Sequence, residues 1–371
     1  MIRTHRVLVV VVILFGAAAL VTSPRARREH GFVVHAQTEQ PPTFERDPSW
    51  PKPLPNNWGL GIVWGVAVGP QDHVWVLNAA DGRRDRLAAE GKIAAPPVLE
   101  FDPDGNLVRA WGGRDQGFPW FYEAPPDSAP QGLREHAINV DHEGNVWISG
   151  GNHLVLKFSS TGEFLMQLGE RNETSGSNHP VHLGAPASVD FNPTTNEVYV
   201  ADGYLNRRVA VYDASTGEYK RHWGRYGEPP DDSFEPHPRD AWIGPGPNGT
   251  FPRFAHGANV SNDGLVYVAD RAHSSIHLYR PDGTFVTEAP TPGPINSVAF
   301  SADPEQYYLY GAGINRDSKI YIMRRSDFEV LGEFESAGQH YFDTDSHGNL
   351  FTCGRALPEK FVLTSCPRGS C

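Results

Sequence analysis

Residues 136–169 read HAINVDHEGNVWISGGNHLVLKFSSTGEFLMQLG, and their pattern decides the fold. Apolar and polar residues alternate with period two through HAINVD, VWISG, HLVLKFS and FLMQLG, while HEGN and STGE supply tight polar turns between them. Such a stretch predicts a four-stranded antiparallel meander. The same unit recurs on both sides of it. Earlier in the chain stands GVAVGPQDHVWVLN (65–78) with PVLEFDPDGNLVRAWG (97–112). Later come SVDFNPTTNEVYVADG (188–203) with RVAVYDASTGEYKRHWG (208–224), and GANVSNDGLVYVAD (257–270) with SIHLYRPDGTFVTEAP (275–290). SVAFSADPEQYYLYG (297–311) with KIYIMRRSDFEVLGEF (319–334) makes a fifth, and YFDTDSHGNLFTCG (341–354) with KFVLTS (360–365) a sixth that lacks its last strand.

A meander that is apolar on both faces must be covered by a neighbour on each side, and only a closed ring of such units leaves no uncovered end. The expected architecture is therefore all-β, a six-bladed β-propeller over residues 45–366, with 367–371 as a C-terminal tail. A segment within Asp47 to Ile62 is expected to supply the missing outer strand of the sixth blade and close the ring.

Composition agrees with this reading. The 371 residues include 38 Gly and 32 Pro for turns and 19 Phe, 13 Tyr and 9 Trp for a core, which disordered chains do not carry. A hydrophobic fraction of 39% argues against a polytopic membrane protein, and a net charge of −12 supplies no basic footprint for nucleic acid. The N-terminus differs from the rest. Two Arg and a His within Met1–Arg6 precede an apolar run from Val7 to Val21, the pattern of an export signal. Residues 1–36 are thus expected to be a signal peptide and leader, cut after Ala36 or near Ser23, or retained as an uncleaved anchor. Either way the propeller is expected outside the cytoplasm, as a periplasmic, secreted or membrane-anchored protein, and as a monomer. In an oxidising compartment Cys353 with Cys366, or Cys366 with Cys371, can pair. The chain holds no CxxC, which argues against a thiolate zinc site.

The turn glycines act as a ruler. His136 lies eight residues before Gly144, His256 eight before Gly264 and His340 eight before Gly348, so all three share one register at the start of the innermost strand. The matching positions elsewhere are Trp64, Ala187 or Ser188, and Ser297. The histidines fall in blades two, four and six, and alternate blades of a six-fold ring converge on the axis with trigonal symmetry. Three convergent imidazoles with an open fourth position are what a catalytic zinc, or another divalent transition metal, requires. The end of strand two faces the same rim. There blade three carries Asp202-Gly203-Tyr204-Leu205-Asn206-Arg207 and blade four Asp270-Arg271. A phenol beside a divalent cation is a usable general base, and a guanidinium beside it offers a planar fork for a carboxylate. Two long connections, Gly113 to Leu133 with Trp120, Phe121 and Tyr122, and Arg225 to Phe254 with Trp242, are expected to wall a pocket on this rim.

Three stretches, LREHAINVDHEGNVWISGGNHLVLKF, VYVADGYLNRRVAVYD and FAHGANVSNDGLVYVADRAHSSIHLY, resemble the peptidyl-α-hydroxyglycine α-amidating lyase family, six-bladed propellers of the NHL-repeat type. The resemblance implies that His136, His256 and His340 bind zinc, that Tyr204 in its DGY context is the base, and that Arg271 in ADR holds the substrate carboxylate. It also implies cleavage of the C–N bond of an α-hydroxyglycine-type small molecule or peptide to an amide and glyoxylate. Some positions depart from the family. Tyr341 stands where the family has an aspartate that helps organise a structural calcium, which speaks against calcium here. Gly150 and Gly354 replace its acidic positions in blades two and six, and none of Arg83, Arg84 and Arg86 is a secure match for its second arginine. Two other classes remain open: a non-catalytic propeller that binds a peptide, glycan or protein in the cell envelope, and a lactonase-type propeller, whose carboxylate-rich metal site the three histidines argue against.

Overall fold

The computed structural model describes residues 39–79, 83–113, 120–121, 134–233, 255–314, 318–338, 340–354 and 357–371. Residues 1–36, with the expected export signal, lie outside them.

Six four-stranded antiparallel sheets form the blades. Their innermost strands are Ile62–Val68, Glu135–Val140, Ser188–Asn192, Ala255–Val260, Ile295–Phe300 and Phe342–Thr344, and each touches the next around the ring, the sixth closing on the first. The four segments of 136–169 are found as Glu135–Val140, Val146–Gly150, Leu154–Phe158 and Phe164–Leu168, paired in that order. Gly144, Gly264 and Gly348 all sit at positive φ, at 82°, 81° and 80°, so the ruler residues are glycines because their turns demand the left-handed region. The core is divided among the blade junctions. Between blades three and four, for example, Tyr199, Val209, Val211 and Trp223 meet Ala258, Val266, Val268 and Tyr279.

The outer strand of blade six is Thr43–Asp47, paired with Glu359–Ser365. This corrects the expected window of Asp47 to Ile62, which it meets only at Asp47. The remainder of that window crosses from blade six to blade one, with Trp50 buried against Phe101 and Phe351. A turn-rich crossing and a short polar strand look alike in sequence, and only pairing with Glu359–Ser365 separates them. Of the two disulfides left open by the sequence, Cys366–Cys371 forms and Cys353 is a buried free thiol. Residues 367–371 fold back so that the Cys371 carbonyl accepts from Ala302 N at 2.7 Å.

Adjacent blades are also clasped at mid-strand. Asp190 accepts from Val260 N at 2.8 Å, Asp343 from Val68 N at 2.8 Å and Asn259 from Val298 N at 3.3 Å. Burial pushes the Asp190 carboxyl up to about 7, helped by repulsion from Asp343, and burial pushes Asp343 up to about 6. A folded-state pKa raised above the unfolded value of about 3.9 contributes stability that is full below pH ~4 and lost as pH climbs through the folded value. Asp190→Asn keeps an oxygen for Val260 N and escapes that loss. Its thermal midpoint is therefore expected to match wild type near pH 4 and to exceed it by a few degrees above pH ~7, at roughly 2–4 °C per kcal/mol. Scanning calorimetry at both pH values checks this; a difference independent of pH would remove the charged clasp as its cause.

Candidate metal centre

Two of the three histidines are positioned by a local irregularity at the rim end of their strands, and the third stands just before its strand. In blade two the pairing jumps from Glu135↔Gly150 to Ala137↔Ser149, and in blade four from Ala255↔Asp270 to Gly257↔Ala269, so His136 and His256 each occupy a β-bulge. In blade six His340 N donates to Cys353 O at 2.8 Å. A bulge turns its extra residue away from the sheet alternation, here toward the axis. The imidazole centroids lie 4.6, 5.1 and 5.2 Å apart, and one ring nitrogen from each falls within 4.8 Å of the others.

The neighbouring blade sets which nitrogen faces the axis. His136 Nδ1 donates to Ala187 O at 2.8 Å, His256 Nδ1 to Asn296 O at 2.9 Å and His340 Nδ1 to Trp64 O at 2.5 Å. A carbonyl can only accept, so Nδ1 carries the proton in all three and Nε2 keeps its lone pair. Burial, with the nearby His340 and Arg271 charges, holds His136 well below the usual imidazole range; burial, Arg271 and the other two histidines do the same for His256. Neutral imidazoles with backbone-fixed tautomers are the form that ligates a divalent transition metal, and the carbonyl partners raise their basicity. The donor set therefore fits zinc or a similar ion, the expectation drawn from the histidine register.

Tyr204 closes the open face. Its hydroxyl donates to His136 Nε2 at 2.8 Å and lies 3.2 Å from His256 Nε2. The loop that carries it can approach so closely because residue 203 is glycine: a Cβ there would lie 2.3 Å from Ala255 O. The loop is anchored by the fully buried Asp202, which accepts from Gly184 N, Asn206 Nδ2 and Arg208 Nε at 2.7, 2.7 and 2.9 Å. Arg271 follows the end of strand two in blade four. Its guanidinium lies 5.6 Å from the Tyr204 ring centroid and donates to Asn296 Oδ1 at 3.2 Å. Burial raises the Tyr204 phenol above its ordinary range, and the Arg271 charge and hydrogen bond pull it back.

All five residues singled out from the sequence, His136, His256, His340, Tyr204 and Arg271, thus meet at one end of the channel. Other expectations do not reach it. Trp120 and Phe121 do not wall a pocket but fill the core between blades one and two, where Trp120 Nε1 donates to Glu135 Oε1 at 2.5 Å. Tyr122 and Trp242 lie outside the described residues. Of the blade-one arginines, Arg84 and Arg86 belong to a short helix, Arg84–Ala89, and Arg86 donates to Leu60 O at 3.0 Å. His273 and His277, which have no place in the register, are buried at Asp270: His273 Nδ1 is 2.7 Å and His277 Nε2 3.7 Å from its carboxylate. They brace the strand end that carries Arg271, a role no spacing signals. No helix among the described residues is long and apolar enough to cross a membrane.

No family model matches the chain. Among curated proteins it is similar to peptidyl-glycine alpha-amidating monooxygenase A of Xenopus laevis, 24% identical over 326 residues that cover 80% of this chain and 30% of that protein. It is likewise similar to human NHL repeat-containing protein 3, 26% identical over 325 residues, 82% of this chain and 76% of the relative. Peptidyl-alpha-hydroxyglycine alpha-amidating lyase 2 of Drosophila melanogaster is 27% identical over 180 residues, 44% of this chain and 40% of the relative. The chain spans about a third or less of the length of the monooxygenases it matches. The expected resemblance to amidating lyases and NHL propellers is met by these relatives and by the six blades.

Proposed function

We propose that this NHL-type propeller is an exported, metal-dependent carbon–nitrogen lyase that cleaves an α-hydroxyglycine-type substrate to an amide and glyoxylate. The observation that carries this reading is the Tyr204 hydroxyl within hydrogen-bond reach of two histidine Nε2 atoms that a metal would share, with the Arg271 guanidinium beside it. Similarity to proteins named for peptide amidation supports the same chemistry.

His136, His256 and His340 would hold the metal through Nε2. When bound, it supplies Lewis-acid polarisation of the substrate α-hydroxyl. Arg271 binds the substrate carboxylate through its planar fork, which orients the α-carbon toward Tyr204. Tyr204, as phenolate, takes the hydroxyl proton. The C–O bond becomes the carbonyl of glyoxylate as the C–N bond breaks, and its electron pair passes to the amide nitrogen, which takes the proton back from Tyr204. The positive Arg271 beside the ring favours the phenolate that burial alone disfavours.

The test is glyoxylate release from an α-hydroxyhippurate-like compound. Wild type is expected to form glyoxylate and amide in equal amounts, and a chelator is expected to stop it. Arg271→Lys loses the fork and should raise KM by about 10–100-fold, the worth of a charged hydrogen bond, with kcat changed less. A second reading, a non-catalytic propeller, is favoured by the length of the match to NHL repeat-containing protein 3. Zinc-loaded wild type that releases no glyoxylate above background supports that reading and overturns the first.

A further inference from the structure

The residue after each histidine differs sharply in size: Ala137 in blade two, Gly257 in blade four, Tyr341 in blade six. Blade four is tight at this position, since a Cβ on Gly257 would lie 3.0 Å from both Asn296 O and Ser297 Cα. The phenol from blade six reaches all three imidazoles. Tyr341 is buried, stacked on His256 at 5.3 Å between centroids with planes 19° apart, and edge-on to His340 at 4.5 Å and His136 at 5.7 Å.

Its hydroxyl reaches across the axis to the other two ligand blades. It donates to Ala187 O at 2.9 Å, the carbonyl that also accepts from His136 Nδ1 and from Ser149 Oγ, at 2.8 and 2.9 Å. The same oxygen lies 3.3 Å from Nδ1 of His136 and 3.3 Å from Nδ1 of His256. Those two Nδ1 protons are directed at Ala187 O and Asn296 O, so the phenol oxygen is a second, longer contact for each ring, and it also lies 3.3 Å from His256 O. Beyond Tyr341 the channel widens into a cavity of about 330 Å³ whose lining includes Tyr341, Asp190 and Asp343 but none of the three histidines. The phenol is the floor of the histidine centre.

We infer that Tyr341 is a positioning residue of this centre: its hydroxyl bonds Ala187 O and lies against the Nδ1 edges of His136 and His256, and so supports the carbonyls of Ala187 and Asn296 in keeping both rings with Nε2 turned to the axis. The inference rests on the reading that the three histidines hold a metal. Second-layer partners of this kind orient ligands and set their basicity, and their loss weakens metal binding by about 10–100-fold.

Tyr341→Phe removes the hydroxyl and keeps the ring. Zinc affinity of the full chain is measured by competition with a chromophoric chelator, and the visible spectrum of the Co²⁺-loaded protein is recorded beside it. The variant is expected to bind zinc about 10–100-fold more weakly than wild type and to show shifted Co²⁺ bands, with an unchanged thermal midpoint in the metal-free state. Packing alone would be satisfied by Phe, so wild-type affinity and an unshifted spectrum overturn the inference. Should Tyr341→Phe not fold, Tyr341→Met takes its place with the same two outcomes. Wild type that binds no zinc instead overturns the metal reading itself, a result distinct from a tight-binding variant.

Discussion

Elemental analysis is expected to find about one zinc or similar ion per chain in the purified wild type and no bound metal in the double variant His136→Ala, His256→Ala. Two of three ligands are gone, and the remaining His340 cannot retain a divalent ion against buffer. Glyoxylate release should fall to background with the metal, because the Tyr204 hydroxyl lies against the Nε2 atoms that would hold it. The fold is expected to survive. Ala187 O keeps the donors Ser149 and Tyr341 when His136 is removed, and the blade junctions that hold the ring lie away from the axis. Thermal unfolding of both proteins in the metal-free state separates lost ligands from lost structure. Metal retained at wild-type level by a folded double variant would place the ion elsewhere, and metal absent from both after incubation with zinc would leave a propeller that acts by binding.

Tyr204→Phe carries the second large effect. General acid–base catalysis contributes about 10²–10⁴-fold, and kcat is expected to drop by that factor while KM and zinc content stay near wild type. Phe keeps the ring against which Arg271 packs and keeps the Gly203 approach to blade four, so the loop has no reason to move. The acid limb of the wild-type pH–rate profile should also disappear in the variant, since the group that must lose its proton is no longer there. Equal rates in the two proteins would take the base role from Tyr204 and leave it as a wall of the centre.

Much of this site was legible in the sequence because it is built by repetition. A hairpin turn that demands positive φ places glycine at a constant distance from the rim, so counting back from Gly144, Gly264 and Gly348 lands on three histidines without any knowledge of the third dimension. The strand ends that follow, Asp202-Gly203-Tyr204 and Asp270-Arg271, are read by the same count. What the count could not deliver are contacts between residues remote in the chain. Thr43–Asp47 closes blade six by pairing with Glu359–Ser365, hundreds of residues away, and its own five residues carry no mark that distinguishes them from the crossing segment that follows.

The same division runs through the chemistry. Residue type and register alone determined that three imidazoles, a phenol and a guanidinium share one rim of a six-bladed ring, because period-two strands and obligatory turns translate sequence distance directly into height along the channel. Only the tertiary structure decided which imidazole nitrogen faces the axis, since the partner carbonyls of Trp64, Ala187 and Asn296 each come from the next blade. It also decided that Tyr341, an ordinary strand residue by pattern, spans the axis beneath all three, that His273 and His277 brace Asp270, and that Trp120 is core. Those outcomes depend on how blades meet, and contacts across blade junctions are set by closure of the whole ring rather than by any local run of residues.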